Sequence, residues 1–167
     1  GDDHAYFPLG THWTERGALA GTRAIVRSLA AAFPASAAVP DDVLAPRLLA
    51  DPGDSLALQM YLGDVITQRA YAVQFAPGAS RPISMDKSGG PREVVVDQAD
   101  EALPRALVFH DSFGMPLPPL LGRHFSHALF RWQPDIDFAL VERERPGVVL
   151  QVLSDRVLSL PPPREVE

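Results

Sequence analysis

The sequence predicts an α/β domain of three layers around a mainly parallel sheet, with a small β excursion in its middle. Two observations carry that expectation. Residues 106–109 (ALVF) and 148–153 (VVLQVL) are nearly continuous apolar runs, the pattern of strands covered on both faces. The second half of the chain reads strand, helix, strand, helix, strand, which implies parallel pairing through crossovers.

The elements follow in order. Residues 2–9 (DDHAYFPL) are a short apolar patch, a strand end or an ordered loop. Thr14 is a good helix N-cap, with Glu15 in the first turn. Leu19, Val26, Leu29, Ala30 and Phe33 then recur at helical spacing until Pro34 stops the pattern. His12 and Trp13 therefore sit just before a helix N-terminus. A short helix is expected over 41–50, carrying Leu44, Leu48 and Leu49, then a turn at 51–54 and a brief helix capped by Ser55. Residues 69–76 and 92–98 read as strands. Tyr71, Val73 and Phe75 alternate, so the two are expected to pair antiparallel, half exposed. Residues 77–90, rich in Gly, Pro and Ser, form a hairpin-like excursion or a mobile loop between them. After 106–109 a helix opens at Pro118 or Pro119. Residues 124–132 form a strand, Asp135 or Asp137 starts a helix ended by Pro146 and Gly147, and 148–153 is the last strand.

The bulk composition narrows the function. A chain of 167 residues suits one domain over 1–167, and 46% hydrophobic with 22% charged residues indicates a globular protein. Net charge −6 without a long basic run argues against nucleic acid as the main partner. The absence of cysteine excludes disulfides, thiolate metal sites and a cysteine nucleophile. No apolar run approaches membrane-spanning length, and no signal peptide opens the chain. Gly1 is not a natural start residue, so the chain is expected to be a processed or excised part of a longer protein.

Chemistry is concentrated at 110–114 (HDSFG), which interrupts a buried strand with polar groups. Ser112 is thereby placed at the carboxyl end of that strand, where ligands bind in open α/β sheets. Two readings stand from this stretch: a turn that merely caps the following helix, or a nucleophilic serine with backbone N–H groups facing a developing oxyanion. A nucleophile needs a base, and the candidates are His4, His12, His110, His124 and His127. His12, flanked by Thr11 and Trp13, has the rigid, partly exposed setting a general base needs. No metal constellation stands out; His4 with Asp2 and Asp3 is a weak terminal cluster. Residues 87–90 (KSGG) lack the spacing of a phosphate loop, and no cofactor is expected.

Two segments together resemble a known family. Residues 6–18 (YFPLGTHWTERGA) are similar to the D-x-H-W…G-A motif of the SGNH hydrolase-like domains of alginate O-acetylation proteins and their relatives. Residues 106–114 (ALVFHDSFG) resemble their G-D-S-F-like block. The order, histidine motif before serine block, is that of this branch. Residues 53–62 and 137–156 resemble the segments that follow the histidine helix and close the domain. The resemblance implies Ser112 as nucleophile and His12 as base, with Asp111, His110, Trp13 and Asp3 as possible supporting residues. It implies serine-dependent acyl transfer or ester hydrolysis on a carbohydrate, most simply O-acetylation of an exported polysaccharide. It further implies an extracytoplasmic, periplasmic setting and an acetyl-donor membrane protein as partner. The family's acidic residue lies two positions before the histidine, where this chain has Gly10, so a catalytically impaired carbohydrate-binding or assembly domain is the alternative. The family's segment before the histidine motif is also missing, so the sheet is expected to lack a strand or more.

Overall fold

In the computed structural model, residues 4–38, 47–50, 56–62, 65–66, 68–75, 83–90 and 92–156 are described. In chain order their elements are α1 (Glu15–Leu29), α2 (Pro34–Ala37), β1 (Arg47–Ala50), α3 (Leu56–Gln59), β2 (Arg69–Ala72), β3 (Ile83–Asp86), β4 (Glu93–Gln98), β5 (Arg105–His110), α4 (Pro118–Leu121), β6 (His127–Trp132), α5 (Phe138–Glu144) and β7 (Val148–Val152). The chain divides into two compact units, 1–25 with 40–80 and 26–39 with 81–167. Among the described residues no helix is long and apolar enough to cross a membrane.

In the first unit Thr14 caps α1 as its sequence indicates. Its hydroxyl accepts from the Gly17 N–H at 3.2 Å and donates to the His4 carbonyl at 2.9 Å. Tyr6 and Trp13 form an antiparallel bridge ahead of the helix. Trp13 lies so close over α1 that a Cβ on Gly21 would come within 2.7 Å of its ring. β1 and β2 form a separate two-stranded antiparallel sheet, with Arg47 opposite Ala72 and Ala50 opposite Arg69. The helix expected over 41–50 is therefore corrected at 47–50, which is strand. Residues 41–46 lie outside the described residues, as do Asp2, Asp3 and Ser55.

The second unit holds a five-stranded sheet in the order β3-β4-β6-β5-β7. β5 pairs parallel with both β6 and β7, while β3–β4 and β4–β6 are antiparallel. The sheet is thus mixed, which overturns the expectation of a three-layer domain on a mainly parallel sheet. The described helices of this unit are also short, with α2 and α4 of four residues each and α5 of seven. The cause lies at 86–90. Asp86 accepts from the Ser88 N–H and from its hydroxyl, both at 2.8 Å, and Gly90 takes φ +102°, a left-handed conformation that glycine adopts without strain. That turn folds β3 straight back onto β4, and the hairpin joins the main sheet through β6. The expected excursion between Arg69 and Gln98 is corrected accordingly: β4 pairs with β3 and β6, and β2 pairs with β1. A further correction concerns the end of α1, which stops at Leu29 ahead of Ala30 and Phe33; Pro34, expected to stop it, instead opens α2 at its first turn.

Alternation along the strands divides the core. Leu107, Phe109 and Leu129 face Leu140 of α5, with Val95, Ile136 and Val141 around them. The opposite face carries Val96, which approaches Gly122 just after α4 so closely that a Cβ there would meet its Cγ1 at 2.8 Å. Leu117, Leu121, Phe125, Ala128 and Phe130 are fully buried. Of the two expected starts, α5 takes Asp137, whose carboxylate accepts from the Leu140 N–H at 3.0 Å.

Candidate functional site

The site grows out of β5. Ala106 to Phe109 are 0–2% exposed and paired on both sides, so the strand's carboxyl end is rigidly placed. The chain leaves the strand at Asp111, whose N–H donates to the Val152 carbonyl of β7 at 3.3 Å. Its carboxylate accepts from the Phe113 N–H at 2.8 Å and from the Ser154 N–H at 2.9 Å. One bond winds 112–114 into a 3-10 turn, and the other pins that turn to the segment after β7. Burial raises the pKa of the Asp111 carboxyl, but the Ser154 and Phe113 N–H groups, the Ser154 hydroxyl and the positive charge of Arg156 outweigh it. The net direction is below the ordinary carboxylate value, so the group is ionised at neutral pH. Ser112 follows, half-buried, at the start of the turn.

His110 is buried beside it. Its Nδ1 lies 2.7 Å from the Asp111 carbonyl, which makes Nδ1 the protonated nitrogen and Nε2 an acceptor. The ring stacks toward Trp132 at 6.5 Å and meets the edge of Phe130 at 6.4 Å. Gly114 backs it: a Cβ there would fall 2.1 Å from the His110 Cγ. Burial pushes the His110 pKa down, against the smaller raising effects of the Asp111 carbonyl and carboxylate, so the imidazole is neutral at pH 7.

The remaining histidines are placed separately. His124 Nδ1 is 2.9 Å from the Ser36 carbonyl, and His127 pairs across the sheet with Asp97 at 2.6 Å. In the first unit His12 precedes α1 with its Nδ1 3.3 Å from the Thr11 hydroxyl, and Trp13 packs on α1 beside it. The second unit thus gathers His110, Asp111 and Ser112, and the first gathers His12 and Trp13.

Sequence reasoning missed two features here. Ser154 donates to Asp111 from 43 positions away, and only the β5–β7 register brings it there. The second is a cavity of about 330 Å³ on the α4 face, bordered by His110 at the end of β5 and Trp132 at the end of β6. β5 exits toward α4 and β6 toward α5, which pack on opposite faces. Their carboxyl ends therefore flank a topological switch point, the usual crevice for ligands in such sheets.

No family model matches the chain, and no curated protein does either. Among solved structures it is similar to Bacillus cereus PatB1 (TM-score 0.63, 15% identity, covering 93% of this chain and 64% of that one). It is also similar to PatB1 with a sulfonyl adduct (TM-score 0.62, 17% identity, 93% and 62%). A DHHW family protein from Eubacterium siraeum gives TM-score 0.59 at 14% identity, with 91% and 59% covered. The chain spans less than two thirds of the length of each, and at these identities the likeness is one of fold.

Proposed function

We propose that this chain performs serine-dependent acyl transfer onto a carbohydrate, with O-acetylation of an exported polysaccharide as the reaction. Ser112 Oγ attacks the acetyl carbonyl while His12 takes its proton, and the Ser112 N–H is one donor to the oxyanion. Collapse expels the donor's leaving group, which recovers the proton from His12, and leaves acetyl-Ser112. A sugar hydroxyl then attacks that ester, its proton passing to His12 and from there to the departing Ser112 Oγ, which releases the acetylated carbohydrate and free Ser112. Water in place of the sugar makes the same cycle an ester hydrolysis. The reading of the chain as an SGNH hydrolase-like domain, an extracytoplasmic place of action and an acetyl-donor membrane protein belong to the same proposal.

The observation that carries it is the turn at the end of β5, where two hydrogen bonds to Asp111 hold a half-buried serine at a switch point. The likeness to PatB1 supports it, since a sulfonyl adduct is the product of an activated nucleophile with a sulfonyl electrophile. The test is Ser112→Ala in the full chain with an acetyl-ester substrate. Turnover is expected to fall at least about 10³-fold, with loss of the acetyl-enzyme adduct seen by mass spectrometry in the unsubstituted protein. Unchanged turnover refutes the assignment.

One observation favours a second reading, a binding or assembly domain of the same fold. Gly10 stands where the resembling family has its acidic residue, and the Thr11 hydroxyl lies near Nδ1 of His12. That reading requires Ser112 to resist a sulfonyl fluoride probe in natively folded protein; labelling of Ser112 excludes it.

A further inference from the structure

The cavity beside His110 is built for more than packing. Its buried part is formed by His110 and Pro118, with the half-buried indole of Trp132 beside them, and Lys87 and Arg92 lie exposed at its mouth. Glu93 also borders it, but its carboxylate is engaged by Arg131. Lys87 and Arg92 have no ion-pair partner among the described residues. His110 adds an acceptor: with Nδ1 donating to the Asp111 carbonyl, its Nε2 has no hydrogen-bond partner among the described residues.

These features select a ligand by shape and charge. With Glu93 neutralised by Arg131, the lining presents two positive charges at its mouth, Lys87 and Arg92, unpaired among the described residues, which match an anionic group such as a carboxylate. The apolar wall of Trp132 and Pro118 suits the face of a ring, as indoles do for sugars and for aromatic rings. A volume of about 330 Å³ is at the small end of ligand pockets and holds a single ring with its substituents.

From the geometry we infer that this cavity binds a cyclic carboxylate, its ring against Trp132, its carboxylate held by Lys87 and Arg92, and a ligand hydroxyl or N–H donating to His110 Nε2. The inference concerns binding and stands whether or not Ser112 reacts. Ring carboxylates of two sources share this chemistry, sugar acids and aromatic acids, and the test separates them.

Glucuronate, benzoate and glucose are titrated into the full ¹⁵N-labelled protein while the Trp132 indole N–H signal is followed. Saturable shifts with glucuronate, with a Kd on the order of 1 mM and at least about tenfold tighter than glucose, assign a sugar acid. The same result with benzoate alone assigns an aromatic acid. In either case Lys87→Ala combined with Arg92→Ala is expected to weaken binding at least about tenfold. Both positions are exposed, so the spectrum otherwise stays native. The inference is overturned if neither acid shifts the signal up to about 50 mM, if glucose binds as tightly as the acids, or if the double variant binds unchanged. Activity of Ser112→Ala is a separate measurement, so failure of one reading leaves the other to be judged alone.

Discussion

Asp111→Asn tests whether the carboxylate, rather than side-chain shape alone, holds the serine turn. Asp111 accepts from two backbone N–H groups, at 2.8 and 2.9 Å, one two positions and the other 43 positions along the chain from it. Hydrogen bonds to charged groups contribute about 1.5–3 kcal/mol each in mutational series. Asparagine keeps one acceptor oxygen but turns an NH₂ group toward the other N–H. One bond is therefore lost and the second loses its charge. Because the carboxylate is only partly buried, solvent screening takes the total to about 1–2 kcal/mol at pH 7. The pH dependence is the sharper criterion. The folded-state pKa lies below the unfolded value of about 3.9, so the stabilisation is fully present above that pH and is lost as pH falls through the folded pKa. Asparagine does not titrate. Urea denaturation of both proteins should thus give a constant stability gap from about pH 7 down to pH 5, closing below about pH 4. His110, whose pKa is also depressed, loses its contribution in a higher window, and in both proteins, so it largely cancels. A gap that persists undiminished to about pH 3, or no gap at neutral pH, refutes the reasoning.

Two further outcomes follow from contacts already described. Gly114→Ala drives a methyl group to within 2.1 Å of the His110 Cγ, so the ring must move; we expect a loss of about 1–3 kcal/mol in thermal unfolding and a shifted His110 ring signal in NMR, and a wild-type melting temperature contradicts the packing argument. Thr14→Ala removes the cap on the Gly17 N–H and the bond to the His4 carbonyl; urea denaturation should register about 1 kcal/mol, with Thr14→Ser restoring most of it.

What the sequence made legible was local. The cap at Thr14, a helix start at one of Asp135 and Asp137, and the buried strand over 106–109 each depend on residues within a few positions of one another, and each forms, the strand extending one residue further at either end. What escaped was decided by distant partners. Leu48 and Leu49 suit a helix face or a strand equally well, and the neighbour β2 settles 47–50 as strand. The direction of the sheet turned on whether 83–98 pairs with itself or with the strand at 69–72. The Asp86–Ser88 turn and Gly90 favour a hairpin, and the edge of β6 then receives β4 antiparallel. Likewise the cavity joins a hairpin turn, two strand ends and a post-strand turn, four segments that no single stretch of sequence connects.

The site itself was legible as a choice between a capping turn and a nucleophile, and the structure makes that choice less exclusive than it looked. The cap is what shapes the turn: Asp111 engages the Phe113 N–H through its carboxylate and the Gly114 N–H through its carbonyl, while the Met115 N–H donates to the Ser112 carbonyl. Three consecutive N–H groups are therefore directed inward and are not available to an oxyanion. A hydroxyl reacting at this position would have to find its stabilising donors in the Ser112 N–H and in a segment outside the turn. With those three N–H groups engaged by the cap, a second oxyanion donor for a serine reacting here has to come from residues outside the turn.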